Sequence, residues 1–304
     1  MTTPDIRRPR IGLALGSGSA RGWAHLGVIR ALERAGVRPD LVCGTSIGAL
    51  VGAAYSAGEL DRFERWVLRL DLKEVVGLMD ISLSHGLFRG ERLMGALQQV
   101  WEDRPIEGLP VPFAAVATAL HNGEEIWLRR GSMLDAVRAS LALPGLFAPV
   151  LSDGVVLVDG GLVNPVPASL ARAMGADVVI AVDLGSDILG RHLRTGPPTG
   201  GIAGVVGDWI RKLQGDAGVP APPHHTDEPA MPSLPVVVAS SINIMQVRIA
   251  RSRMAEELPD LIVAPRLAHL RLLDFHRAEE AIEEGHRAVQ RVADALALLN
   301  EHAA

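Results

Sequence analysis

The chain lacks the features that mark several special classes of protein. Its 304 residues hold a single cysteine, Cys43, so no internal disulfide can form and cysteine usage gives no sign of secretion. Thirty Lys and Arg stand against 35 Asp and Glu, a net charge of −5. That balance gives no footing for nucleic acid and little for an anionic membrane surface. No apolar run is as long as a membrane span. Residues 1–10 are polar and basic with no apolar stretch of a leader type, so no signal peptide is expected. A cytoplasmic location is the expectation that remains, with peripheral contact at an inner membrane left open. What is present is 48% hydrophobic content, enough for one large core or two small ones.

Strand and helix patterns alternate along the first 185 residues. Apolar runs at 11–15, 41–43, 113–120, 125–128, 155–158 and 177–182 predict strands. Helical spacing predicts helices at 21–35, 47–57, 61–70, 91–101, 133–141 and 166–174. His121-Asn122-Gly123 is a hairpin turn signal. The expected class is α/β, a three-layer α/β/α sandwich with a mostly parallel central sheet. Residues 11–185 would form the main domain. Residues 186–235, rich in Gly, Pro, His and Asp, read as a flexible insertion. Within it Ile202, Val205, Val206, Trp209, Ile210 and Leu213 share one helical face. Docking on the body is the plain reading of that face; a lid or a membrane contact is the sharper one. Residues 236–304, with helices at 236–257 and 276–299 and a strand at 261–264, would complete the same domain.

The chemistry centres on Gly44-Thr45-Ser46-Ile47-Gly48, which follows the apolar run Leu41-Val42-Cys43. Strand, sharp turn and helix in that order push a serine hydroxyl outward, and the glycines let strand and helix pass closely. With 32 Gly and 15 Ser, such a five-residue pattern arises by chance about 0.16 times per chain, so placement matters more than the match. A serine nucleophile needs a base and preorganised donors for an oxyanion. Gly16-Ser17-Gly18-Ser19-Ala20-Arg21-Gly22 links the first strand to the first helix and offers backbone N–H groups at a helix N-terminus. A dinucleotide loop is the rival reading. It would need glycine where Arg21 stands and an acid at the end of the second strand, whereas Asp40 precedes that strand. None of the ten histidines occupies a recognisable strand-end loop with an acid partner. His25 falls inside the first helix and reads as a packed or solvated residue. Asp159 ends an apolar strand and precedes Gly160-Gly161, which aims its carboxylate at the same sheet edge. Taken alone, it reads as a turn cap.

Together these parts resemble the patatin-like phospholipases, and most closely the bacterial group related to the neuropathy target esterases. The resemblance runs from about residue 10 to 183. It includes Arg21-Gly22-Trp23-Ala24-His25-Leu26-Gly27-Val28, Ala139-Ser140-Leu141-Ala142-Leu143-Pro144-Gly145-Leu146-Phe147, and Asp159-Gly160-Gly161-Leu162-Val163-Asn164-Pro165-Val166-Pro167. It implies a serine acyl hydrolase with a Ser46–Asp159 dyad and no histidine, acting on a lipid or small acyl ester. It implies an oxyanion held by backbone N–H groups around Ser17, Gly18 and Ser19, with Ile47 N–H as a further donor. Arg21 would hold the loop or neutralise charge. No cofactor, metal or nucleic acid is expected. The family's loop usually has three glycines where this chain has Ser17-Gly18-Ser19. Positive φ there would cost each serine on the order of 1 kcal/mol. Two other readings stay open: an α/β-hydrolase triad using His276, although only one strand precedes that of the nucleophile here, and a non-catalytic binding or regulatory protein of the same fold.

Overall fold

Buried apolar runs form the spine of the molecule. In the computed structural model, which describes residues 8–78, 80, 88–187 and 234–303, strands β1 (Ile11–Leu15), β2 (Leu41–Thr45) and β3 (Phe113–Ala119) are buried at every position. Continuous burial is what a parallel sheet covered on both faces requires. The remaining strands are β4 (Glu125–Leu128), β5 (Val150–Ser152), β6 (Val155–Asp159), β7 (Val178–Val182) and β8 (Leu261–Val263). The order is β5-β6-β3-β2-β1-β7-β8, with β4 also paired to β3. Strands β1, β2, β3, β7 and β8 run parallel. Strands β4 and β6 run antiparallel to β3, and β5 antiparallel to β6.

The helices are α1 (Ala24–Arg34), α2 (Ile47–Ser56), α3 (Leu60–Val67), α4 (Leu72–Leu78), α5 (Glu91–Val100), α6 (Met133–Ser140), α7 (Ala168–Ala173), α8 (Leu234–Glu256), α9 (Ala278–Gln290) and α10 (Ala293–Ala303). One sheet face packs Leu13, Leu15 and Val42 against Leu26 and Ile29 of α1, Met133 and Val137 of α6, and Ile282 of α9. The other packs Ala14, Cys43, Ala114 and Val116 against Leu170 of α7 and Ala250 and Met254 of α8. The expected three-layer α/β/α sandwich is therefore observed. Of the predicted insertion only residues 186, 187, 234 and 235 are described, the last two already in α8, and its 202–213 helix lies outside the described residues.

Several expectations change in detail. The first helix opens as a 3-10 turn, Ser19–Trp23, before α1 begins. Helix α4 and strand β5 were not predicted: α4 buries only Val75, and β5 is three residues long, so neither leaves a strong pattern. The single helix expected over 276–299 is two, α9 and α10, separated at Arg291 and Val292. Ile282, Val289, Val292 and Leu296 keep helical spacing across the break, so the pattern does not betray it.

The register of β3 places the site. Ala115 and Val116 pair with β2 on one edge and β4 on the other, while Ala117 and Thr118 pair with β4 and β6. Strands β2 and β6 therefore share one edge of β3 and meet end to end. Thr45, the last residue of β2, sits opposite Val116; Asp159, the last of β6, sits opposite Ala117. The residues at the two strand ends are neighbours because one strand stops where the other arrives.

Helices α1 and α9 cross at two glycines. A Cβ at Gly27 would fall 1.9 Å from Ile282 O, and one at Gly285 would fall 2.1 Å from Ala24 O. Both atoms are backbone, so the helices must separate to admit a methyl group. Gly27→Ala should lower unfolding stability by about 1–3 kcal/mol through overpacking, measured by denaturant titration.

Candidate active site

Ser46 is the one residue between β2 and α2, at φ 57° and ψ −123°. An L side chain rarely adopts this backbone, at a strain of about 1–3 kcal/mol. Its neighbours hold it there. Ser46 N–H donates to Ser140 Oγ at 2.8 Å, and Ser140 Oγ–H donates to Val116 O at 2.6 Å. Thr45 Oγ1 donates to Asn164 O at 2.8 Å. A Cβ at Gly44 would lie 2.3 Å from Gly48 O, and one at Gly48 would lie 2.1 Å from Leu15 O, so both motif glycines are sterically required.

Asp159 completes the pair. Ser46 Oγ donates to Asp159 Oδ2 at 2.5 Å, and Gly161 N–H donates to Oδ1 at 2.7 Å. Capping of the turn and contact with Ser46 thus coexist, one carboxylate oxygen for each. The backbone is pinned as well: Asp159 N–H donates to Ala142 O at 2.9 Å, and Thr118 Oγ1 donates to Asp159 O at 2.8 Å. A Cβ at Gly160 would meet Val116 O at 2.2 Å, so only glycine lets the chain turn that close to β3. Asp159 is 0% exposed and Ser46 is 7% exposed. Burial raises the Asp159 carboxyl to about 6, against the opposing pull of the Ser46 and Gly161 hydrogen bonds. A carboxylate near 6 is a far better base than one at its ordinary value.

A profile of the patatin-like phospholipase family matches residues 13–172, more than half of the chain. The chain belongs to the patatin-like phospholipase family. An uncharacterized NTE family protein of Mycobacterium tuberculosis is 32% identical, over 97% of this chain and 94% of its own length. Patatin-like phospholipase domain-containing protein 6 of Homo sapiens is 38% identical over 183 residues, which span 58% of this chain and 13% of that protein. The crystal structure of VipD from Legionella pneumophila aligns with a TM-score of 0.45 and 15% identity, over 97% of this chain and 67% of that one.

The loop of this patatin-like domain corrects one expectation. Ser17 N–H is committed to Pro165 O at 2.8 Å, and Gly16 N–H to Val182 O at 3.1 Å. Ala20 N–H goes to Leu272 O and Arg21 N–H to Gly18 O. The N–H groups of Gly18, Ser19 and Ile47 keep no acceptor among the described residues. Ser17 is therefore a structural member of the loop, and Gly18 and Ser19 are the open donors. Of the two serines only Ser19 has positive φ, 50°. Gly18, at φ 166°, is extended backbone. Packing brings this loop against the nucleophile turn. A Cβ at Gly22 would strike the Ile47 side chain at 2.2 Å, and one at Gly48 would lie 2.7 Å from Gly16 O.

His25 and Arg21 serve the loop from beneath. His25 is fully buried, and its Nε2–H donates to Gly16 O at 2.8 Å. Burial lowers its pKa to about 4, so the ring is neutral at pH 7. Arg21 is buried too, with burial drawing it down to about 10 and Asp183 opposing that shift. His276 makes no hydrogen bond to Ser46, whose hydroxyl goes to the carboxylate. Cys43 is buried, with its thiol on Pro167 O at 3.2 Å. A cleft of about 360 Å3 at the C-terminal end of α1, lined by Ala31, Arg34, His286 and Leu296, contains none of these residues.

Sequence reasoning missed Ser140, Thr118 and Asn243. Ser140 lay within a quoted stretch, but nothing in its spacing marks a serine that supports a backbone N–H 94 residues away. Ser140→Ala should destabilise the fold by about 1–3 kcal/mol, because Ser46 N–H then stays buried and unpaired. Asp159→Asn should do the reverse at neutral pH. Folding raises this carboxyl from 3.8 to about 6. Its favourable contribution is complete below about pH 4 and lost as pH rises through 6. An amide keeps the Gly161 bond and donates to Ser46 Oγ. The asparagine variant should thus be more stable by about 2–3 kcal/mol at pH 8, the gain fading toward pH 4 in thermal melts.

Proposed function

We propose that the chain is a serine acyl hydrolase acting on lipid acyl esters or small acyl esters, of the phospholipase A or lysophospholipase type. One observation carries the reading: the Ser46 hydroxyl is hydrogen-bonded at 2.5 Å to a fully buried carboxylate. Family membership and the names of the relatives support lipid as the substrate class. Among the described residues no helix is long and apolar enough to cross a membrane.

In this mechanism Asp159 accepts the Ser46 proton as Oγ attacks the acyl carbonyl. The new oxyanion is met by the N–H groups of Gly18, Ser19 and Ile47, supported by the positive end of α2. Asp159 then gives the proton to the departing alkoxide, leaving an acyl-serine. A water molecule loses its proton to Asp159 and attacks the acyl carbonyl. Collapse releases the acid and returns the proton to Ser46. No cofactor or metal enters this sequence. Residues 11–185 supply every group named, and residues 236–304 complete the same domain.

Ser46→Ala and Asp159→Asn should each lower hydrolysis of p-nitrophenyl esters by at least about 10³-fold while the proteins stay folded. His276→Ala should keep most activity, whereas a histidine triad would lose it. The rate should rise with pH through about 6, as Asp159 ionises. An acyl-chain-length series on esters and lysophospholipids defines the substrate, and near-wild-type turnover by folded Ser46→Ala would overturn the reading. Failure of a fluorophosphonate probe to label the native protein would favour a non-catalytic binding role.

A further inference from the structure

The donor loop is held in part by a residue far along the chain. Gly18 O accepts two bonds from Arg21, one from the backbone N–H at 3.3 Å and one from Nε at 3.2 Å. Arg21 Nη2 in turn donates to Asn243 Oδ1 at 3.0 Å. Asn243 belongs to α8, and both side chains are buried. No carboxylate bonds directly to this guanidinium among the described residues; Asp183 acts on it only through its charge. With Ser17, Asp183 and Gln246, the three residues line a cavity of about 10 Å3, room for one water molecule at most.

We propose that Asn243 is a positioning residue for acyl transfer, orienting the Arg21 guanidinium and through it the Gly18–Ser19 peptide. The proposal rests on the hydrolase reading above. A trans peptide is planar, so Gly18 C=O and Ser19 N–H point in opposite directions. Two bonds from Arg21 turn the carbonyl inward and thereby turn the Ser19 N–H away from the loop interior. Ser19 sits at φ 50°, which a free serine avoids, so this orientation needs an outside tether. Asn243 supplies it by fixing where the guanidinium plane lies. Its effect falls on the oxyanion donors and leaves the Ser46–Asp159 pair untouched.

The test compares wild type, Ser46→Ala, Asn243→Leu, Asn243→Ala and Asn243→Asp on p-nitrophenyl esters, with thermal midpoints and fluorophosphonate labelling rates. Loss of the acceptor in Asn243→Leu or Asn243→Ala should lower kcat and the labelling rate by about 10- to 100-fold. KM should stay within about threefold, and the acid limb of the pH profile should not move. Asn243→Asp keeps an acceptor oxygen in place and should recover kcat to within about fivefold of wild type. Asn243→Ala covers the case in which leucine disturbs the packing of α8. Wild-type kcat in a folded leucine or alanine variant would overturn the role of Asn243, as would an equal loss in the aspartate variant. Turnover that survives Ser46→Ala would overturn the hydrolase reading, and this proposal with it.

Discussion

The end-to-end meeting of β2 and β6 on one edge of β3 is the constraint on which the rest of the site depends. Ser46 Oγ and Asp159 Oδ2, on residues 113 apart, must meet at 2.5 Å. Sheet register achieves this without long side chains. Thr45 opposite Val116 and Asp159 opposite Ala117 leave the serine and the carboxylate adjacent. Because side chains alternate across a strand, a slip of one residue in β6 would send the carboxylate to the other face of the sheet. The Thr118 hydroxyl on Asp159 O and the close passage of Gly160 beside Val116 O oppose that slip.

Burial raises the Asp159 carboxyl and works against the fold. Burial strips the Asp159 carboxylate of hydration that its two hydrogen bonds only partly replace, and Ser46 is held on a backbone that a free serine avoids. Both strains fall on the same few residues. The surrounding glycines, Ser140 and the buried apolar strands offset them. The molecule thus carries its least favourable contacts around the Ser46–Asp159 pair, a concentration that folds otherwise avoid.

The sequence made the α/β alternation, every sheet strand but the three-residue β5, and the Ser46 and Asp159 positions legible, because buried parallel strands and glycine-flanked turns leave strong local patterns. It misassigned Ser17 as a donor, since composition identifies a glycine-rich loop but not which of its N–H groups are already spent on Pro165 and Val182. Ser140 and Asn243 were invisible for a related reason: each acts across 94 or 222 residues through a single hydrogen bond. The break between α9 and α10 hid behind apolar spacing that continues through it.

The partners of the first loop come late in the chain. Ala20 N–H bonds to Leu272 O, Arg21 to Asn243, and the Trp23 indole N–H to Phe275 O at 3.0 Å, while α1 rests on α9 through Gly27 and Gly285. A nascent chain that has already delivered Ser46 and Asp159 from the ribosome therefore still lacks the supports of its donor loop. Those arrive only from residue 243 onward. At ordinary synthesis rates of roughly 5–20 residues per second, that is a delay of several seconds or more. The loop is thereby the last part of the site to be held in place as the chain is made.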